Sequence, residues 1–202
     1  MTSEDSYNTI NKASKPVLFK DKNSKFYAYA FPVINEDQVK QKLENLKKEH
    51  PSAGHYCYAY QIGTENSQYR TNDDGEPKNS AGMPIYGQIQ SYNVTNILIV
   101  VVRYFGGTKL GVSGLINAYR TAAQMALESI RIIEKTIDKK YSLKFSYNDM
   151  GKVRQLLKEN QVKILSQTLE LNCLFEISVR KSDSLKVFEI FQQFYGVEIS
   201  EL

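Results

Sequence analysis

Apolar positions in the first fifty residues form two strand-like runs and one helix-like pattern. Residues 17–20 and 26–31 are rich in apolar and aromatic side chains and flank a polar turn, so they predict a β-hairpin. Between residues 36 and 50 the apolar positions recur at helical spacing, with acidic side chains before them and basic side chains after them. This pattern predicts an amphipathic helix, which Pro51 ends.

The segment from residue 55 to residue 130 predicts a strand, a polar connection, and then a helix, a strand and a second helix. Residues 55–62 alternate as in a half-buried strand. Polar residues dominate 63–79, and Ser80 is a suitable N-cap for a helix that follows. The continuous apolar run of 97–104 is typical of a central strand buried on both faces. A glycine-rich loop and an amphipathic helix come next.

Beyond residue 134 the hydrophobic periodicity predicts a second folding unit. Strands and helices alternate there as β-α-β-β-α-β, the ferredoxin-like split pattern. The elements are a strand at 136–147, a helix at 148–160, strands at 162–166 and 168–180, a helix at 184–195, and a strand from Val197. We therefore expect an α+β protein of two domains, 1–135 and 136–202, with residues 1–16 as a flexible lead-in.

Composition excludes several classes of protein. The chain has 202 residues, of which 42% are apolar and 24% charged, so it is neither disordered nor fibrous. A net charge of +4 is too small to indicate a nucleic-acid binder by itself. The longest apolar run, 97–102, is too short for a membrane span, and we expect a cytoplasmic protein without a signal peptide. Cys57 and Cys173 are far apart and are expected to be reduced and partly buried.

The glycine loop, residues 105–114, contains four glycines between the central strand and the helix. Its spacing fits neither standard phosphate-binding motif. Three interpretations remain open: a nucleotide-binding loop, a purely structural crossover, and a loop that presents two exposed cations to a phosphate backbone beside the helix N-terminus. We favour the third. The candidate nucleic-acid or ligand surface comprises Arg103, Gly106, Gly107, Thr108, Lys109, Gly111, Ser113 and Gly114.

The acidic loop, residues 71–77, brings together Asp73, Asp74 and Glu76. Such carboxylates can hold a hard divalent cation, but Asp and Gly are also the residues that turns prefer for conformational reasons. The turn is the favoured interpretation, and we expect a nearby cation such as Lys78, Arg70 or Arg103 to relieve the repulsion.

No arrangement of residues predicts catalysis. His50 closes the first helix, where its charge suits the helix dipole. His55 and Cys57 are two residues apart on one strand, too far for a direct nucleophile–base hydrogen bond. Ser113 does not stand in a nucleophile elbow. The tyrosines at 56, 58 and 60 can stack on RNA bases, but a stripe of this kind is more typical of a strand face covered by a helix.

Several longer motifs resemble one family. They are HYCYAY at 55–60, DGEP at 74–77, AGMP at 81–84, VVRYFGGTKLG at 101–111, GL at 114–115 and AY at 118–119. Together they resemble the YigZ/Impact family over the whole first domain. One departure is Lys78-Asn79-Ser80, where related sequences usually have a small Ser-Gly-Thr segment.

The resemblance implies a fold for each domain and a role in translation. It implies an α/β sandwich like the second domain of a small-subunit ribosomal protein and domain IV of elongation factor G. It also implies a ferredoxin-like second domain resembling domain V of that factor. Eukaryotic relatives regulate translation by binding the activator of an initiation-factor kinase. No catalytic residue carries over from the family.

Three functional hypotheses follow. The first is a non-enzymatic regulator that associates with RNA, the ribosome or a translation factor through the glycine loop. The second is a small-molecule enzyme or nucleotide binder that uses the same glycine loop, with Asp73, Asp74 and Glu76 holding Mg²⁺. The third is a protein-interaction module in stress control of translation. We favour the first, and we expect no cofactor, no metal and no membrane partner.

Overall fold

The computed structural model describes residues 5–202 and confirms the α+β class. By its internal packing this part of the chain divides into a larger unit, Tyr7–Lys135, and a smaller unit, Thr136–Leu202, which also includes residues 5 and 6. Residues 1–4 of the expected lead-in lie outside the described residues. Among the described residues, no helix is both long and apolar enough to cross a lipid bilayer.

The larger unit contains three helices and most of the strands. Its strands are β1 (Ser6–Ile10), β2 (Val17–Asp21), β3 (Ser24–Pro32), β4 (His55–Ile62), β5 (Gln68–Asn72), β6 (Ile97–Tyr104) and β7 (Ile132–Thr136). Its helices are α1 (Glu36–Glu49), α2 (Gly82–Ser91) and α3 (Gly111–Glu128). The predicted hairpin, the first helix and both predicted strands, 55–62 and 97–104, are confirmed.

A five-stranded antiparallel sheet in the order β2-β3-β6-β4-β5 forms the middle layer of the larger unit. As its apolar run predicts, β6 is central and buried on both faces. Val39 and Leu46 of α1 pack on one face of the sheet, whereas α2 and α3 cover the other. Small residues on α3, such as Ala118 and Ala122, are fully buried and let this helix lie close to the sheet.

Two strands differ from the sequence-based expectation. Residues 6–10, which the sequence assigns to a flexible lead-in, form β1, which pairs with β7 and buries Thr9 and Ile10. The polar stretch 63–79 contains β5, which lies at an edge of the five-stranded sheet. Both strands lack a hydrophobic alternation because each lies at the edge of its sheet.

The smaller unit has the predicted β-α-β-β-α-β order. Its elements are β8 (Asp138–Ser146), α4 (Met150–Glu159), β9 (Lys163–Thr168), β10 (Asn172–Arg180), α5 (Lys181–Gln192) and β11 (Val197–Glu201), with a 3₁₀ turn at Tyr147–Asp149. The sheet order is β11-β8-β10-β9, the ferredoxin-like arrangement. The strand predicted at 136–147 is divided between β7 and β8, and the predicted helix at 148–160 begins only after the 3₁₀ turn.

Candidate functional site

Arg103 lies at the end of β6 and is buried rather than exposed, which corrects the expectation of an accessible cation. Only 5% of the residue is exposed. Its Nη1 donates to Glu76 Oε1 at 2.6 Å, and its Nη2 lies 3.4 Å from Ser24 Oγ. Its Nε is buried and has no hydrogen-bond partner among the described residues. We expected a nearby cation to relieve the repulsion between the carboxylates of the acidic loop, and this expectation is confirmed for Arg103.

Two aromatic rings enclose the Arg103 guanidinium. Its central carbon lies 5.4 Å from the Phe26 ring centroid and 5.5 Å from that of Phe105. A guanidinium is weakly hydrated and stacks well on aromatic faces, so these rings lower the cost of its burial. Phe26 is part of the core, whereas Phe105 is 55% exposed and forms the outer wall.

Glu76 joins three elements through its carboxylate. Oε1 accepts hydrogen bonds from Arg103 and from the Tyr119 hydroxyl of α3, the second at 2.7 Å. Its side chain is 4% exposed. Burial, together with the neighbouring Cys57 and Glu76, raises the pKa of Tyr119 far above its ordinary value. Tyr119 therefore remains a hydrogen-bond donor and, with Arg103, stabilises the buried carboxylate.

His55 of β4 completes this cluster from the opposite side. Its Nδ1 lies 2.8 Å from the Asp74 carbonyl oxygen, which can only accept, so Nδ1 carries the proton. The other ring nitrogen, Nε2, faces Glu76 Oε1 at 3.9 Å. Asp74 also accepts a hydrogen bond from the Tyr56 backbone N–H at 2.7 Å. The acidic loop is thereby attached to β4.

Asp73 stabilises the start of α2. Its Oδ1 accepts from the backbone N–H groups of Ala81 and Gly82 at 3.0 and 2.8 Å, and its Oδ2 accepts from Asn79 at 2.8 Å. The predicted N-cap, Ser80, instead donates its hydroxyl to the Pro77 carbonyl. The helix is therefore capped from a residue distant in sequence.

The three predicted carboxylates are thus turned towards different partners. Asp73 caps α2, Asp74 accepts from β4, and Glu76 pairs with Arg103. Within the described part of the chain, no group of three or more His, Cys, Asp or Glu side chains is placed to hold a metal ion. The contacts favour the interpretation of the acidic loop as a structural turn.

Cys57 lies below this cluster and is fully buried. Its thiol donates to the Asp73 carbonyl oxygen at 2.9 Å, and its Sγ is 3.3 Å from the Tyr119 hydroxyl. Burial raises the pKa of this thiol well above its ordinary range. The same environment that makes Cys57 a good core residue makes it a poor nucleophile.

The glycines of the glycine loop serve two purposes: one allows a close backbone approach, and two others adopt a positive φ. A Cβ at Gly106 would lie 2.1 Å from the Asn23 backbone, so glycine is required where the loop passes the β2–β3 turn. Gly107 has φ +84° and nothing near it, and Gly111 has φ +76° at the first residue of α3. Of the other candidate residues in the loop, Thr108, Lys109 and Ser113 are exposed and Gly114 is half-buried, whereas their neighbour Leu110 is buried.

An open cleft of about 340 Å³ lies where the acidic loop, β6 and the start of α3 meet. Of the predicted residues it brings together Glu76, Arg103, Lys109 and Gly111. The others do not line it: Asp73, Asp74, Gly106, Gly107, Thr108, Ser113 and Gly114. The first turn of α3 has no side-chain cap and no acidic residue. Its backbone N–H groups and the partial positive charge of the helix end favour an anion there.

Sequence reasoning missed the residues that complete the cleft and its floor. The apolar walls are Pro77, Phe105, Leu110, Val112 and Leu115, and Tyr119 contributes the second donor to Glu76. Tyr119 falls on the buried stripe of its helix, where a hydroxyl partner is not visible from spacing. Phe105 offered one signal, because it is a large aromatic residue immediately before a pair of glycines.

The tyrosine stripe of β4 has the expected structural role. Tyr60 is buried and Tyr56 and Tyr58 are partly buried against the cluster that includes α1. The Tyr56 hydroxyl donates to the His50 carbonyl at the end of α1, and the Tyr60 hydroxyl donates to Glu36 at its start. These rings bind a helix of the protein itself.

Comparison with known proteins connects this geometry to a family. The family model of the Impact N-terminal domain matches residues 22–127, which include the acidic loop, the cleft and nearly all of α3. The IMPACT family member YvyE of Bacillus subtilis is 31% identical over 179 residues, covering 89% of this chain and 82% of YvyE. An IMPACT family member of Haemophilus influenzae is 36% identical over 163 residues, covering 77% of this chain and 78% of its own.

The likeness extends to three dimensions. A crystal structure of a hypothetical protein covers 98% of this chain and 98% of its own, with 25% sequence identity and a TM-score of 0.72. The bacterial relatives are matched over most of their length, and the matched family model covers both loops that build the cleft. The chain therefore belongs to the IMPACT family.

Proposed function

We propose that this protein is a non-enzymatic regulator of translation that associates with RNA, the ribosome or a translation factor. The chain belongs to the IMPACT family. This membership supports a role in translation, because the resemblance to that family implies that its eukaryotic members regulate translation. We further propose that the contact surface is the mouth of the cleft at the start of α3.

One observation carries this proposal: the exposed Lys109 lies beside a helix N-terminus that has neither a side-chain cap nor an acidic residue in its first turn. A lysine and free backbone donors together form a suitable contact for a phosphate oxygen. The glycines at 107 and 111 leave this backbone open, since nothing lies within 4 Å of a Cβ built there.

Arg103 has a supporting role in this proposal. Its charge is paired with Glu76, so it contributes little net positive charge at the surface. It holds the acidic loop against the end of β6 and thereby shapes the floor of the cleft. Lys109 is consequently the residue whose removal tests phosphate contact without disturbing the core.

Co-sedimentation with purified ribosomes tests the proposal. We would compare the full chain with Lys109→Ala and with Lys48→Ala, a matched exposed lysine on α1, across the sheet from α3. From about 50 to 200 mM salt, binding by phosphate contacts should weaken steeply. Lys109→Ala should bind several-fold more weakly than Lys48→Ala. Absence of binding at low salt, or equal binding of the two variants, would contradict the proposal.

A further inference from the structure

We infer that the cleft binds one nucleotide of a single-stranded RNA, with its base against Phe105 and its phosphodiester at Lys109 and the start of α3. The inference rests on the proposed function and makes it more specific. It requires more than a phosphate-binding surface, because it assigns the apolar part of the cleft to a base.

The size and the walls of the cleft suit a single nucleotide. Its volume of about 340 Å³ is near the lower end of the range of volumes for pockets that hold one small organic ligand. Pro77, Phe105 and Leu115 provide apolar surface, and Phe105 is 55% exposed although large and aromatic. Exposed aromatic rings of this kind stack on bases with little dependence on sequence.

The charges in the cleft suit a phosphodiester better than a free triphosphate. Arg103 and Lys109 are opposed by Glu76, so the lining carries one net positive charge, supplemented by the helix end. A phosphodiester carries one negative charge. A triphosphate carries several and ordinarily needs Mg²⁺, whereas the carboxylates of Asp73 and Asp74 are already used by backbone donors.

A second observation independent of the helix end also indicates a polar ligand. Arg103 lines the cleft, is 95% buried, and has an Nε without a hydrogen-bond partner among residues 5–202. An unpaired buried donor is costly, and a ligand oxygen would satisfy it once the outer wall, Phe105, shifts enough to expose Nε. Both hydrogen bonds that Arg103 and Tyr119 donate to Glu76 end on Oε1. Glu76 Oε2 takes part in neither of these two hydrogen bonds, so it can accept one from a base N–H or a ribose hydroxyl.

Fluorescence anisotropy with three probes tests the inference on the full chain. The probes are a labelled single-stranded oligouridylate of about ten nucleotides, an abasic ribose-phosphate oligomer of equal length, and UTP with Mg²⁺ as competitor. The variants are Phe105→Ala, Phe105→Tyr, and Ile34→Ala as an exposed apolar control in the same unit. Because Phe105 is half exposed, the alanine variant should fold, which circular dichroism checks.

Stacking of one base corresponds to roughly a tenfold change in affinity. We expect the abasic oligomer to bind about tenfold more weakly than oligouridylate, and Phe105→Ala to lose that difference. Phe105→Tyr should retain it, and Ile34→Ala should match the unaltered protein. Equal binding of both oligomers, equal behaviour of Phe105→Ala and Ile34→Ala, or full competition by UTP would overturn the inference. Those results would leave the phosphate contact intact, whereas absence of salt-dependent binding to either oligomer and to ribosomes would contradict the proposed function itself.

Discussion

Arg103 and Glu76 form a buried ion pair, with Nη1 and Oε1 2.6 Å apart, at the floor of the cleft. The pair connects the end of the central strand β6 to the acidic loop, and Tyr119 of α3 shares the same carboxylate oxygen. Three segments that are distant in sequence are therefore fixed around one atom. The cleft depends on this junction, because its residues come from these three segments and from the glycine loop that connects β6 to α3.

Removing one charge of the buried ion pair should lower the free energy of unfolding more than removing both charges. Arg103→Met leaves Glu76 as an unpaired buried charge, which should lower the free energy of unfolding by about 3–5 kcal/mol. Adding Glu76→Gln should recover part of that loss, because the remaining side chain is neutral. Chemical denaturation followed by circular dichroism measures both variants. A double variant less stable than Arg103→Met alone would show that the pair is not the source of the effect.

The cap on α2 predicts a graded effect at Asp73. Asp73→Ala removes the acceptor for three backbone N–H groups and should cost about 2 kcal/mol. Asp73→Asn keeps one acceptor oxygen and should cost less. The control is Asp37→Ala, which removes an exposed carboxylate from α1 and should change stability by under about 0.5 kcal/mol. Equal stability of the Asp73 and Asp37 alanine variants would argue against a capping role.

Neighbouring glycines should respond differently to alanine. At Gly106 the new Cβ would overlap the Asn23 backbone, so the loop or the β2–β3 turn must move, at a cost of about 3 kcal/mol. At Gly107 there is space, and the cost arises only from a positive φ, about 1 kcal/mol. Thermal unfolding of the two variants compares them directly. Similar unfolding temperatures for the two variants would mean that Gly106 does not lie this close to the Asn23 backbone in solution.

Buried tyrosines predict a loss of stability at alkaline pH. Burial, and then the Glu36 contact, raises the pKa of Tyr60 from 10.0 to about 12, and burial raises that of Tyr29 to about 12. A raised pKa in the folded state means that the unfolded chain releases its protons first. Ionisation of these two tyrosines should therefore leave the free energy of unfolding unchanged below pH 10. It should lower that free energy as the pH rises from 10 through 12.

The Tyr60→Phe variant isolates one of these groups. We expect a shallower decline in the free energy of unfolding between pH 10 and 12 than in the unaltered protein. Denaturant titrations at several pH values provide the free energies, and absorbance of tyrosinate reports the ionisation itself. An unchanged pH slope in this variant would contradict the assignment to Tyr60.

The fold was largely predictable because its core elements carry strong hydrophobic periodicity. The run 97–104 predicted β6, and the spacing between residues 36 and 50 predicted α1. The strands β1 and β5 were missed because they lie at sheet edges and contain few apolar side chains. Pairing of edge strands is decided by backbone hydrogen bonds to a neighbour, which periodicity does not reveal.

The site was predictable only in part. Proximity of Arg103 to the acidic loop is among the expected pairings, and the structure begins α3 at Gly111, two residues after Lys109. Burial of Arg103 was not expected, because an arginine at the end of a strand ordinarily reaches solvent. Its burial depends on Glu76, which lies 27 residues away in sequence, and on two aromatic rings. Contacts of that kind follow from tertiary packing rather than from any local pattern.

In the proposed function, Lys109, two residues before the start of α3, contacts nucleic-acid phosphate. The most direct test is the slope of log affinity against log salt for a single-stranded RNA, measured for Lys109→Ala and for Lys48→Ala. Loss of one phosphate contact should make the slope shallower by about 0.7 for a single strand. We predict that change for Lys109→Ala and none for Lys48→Ala. An equal slope in the two variants would contradict the claim.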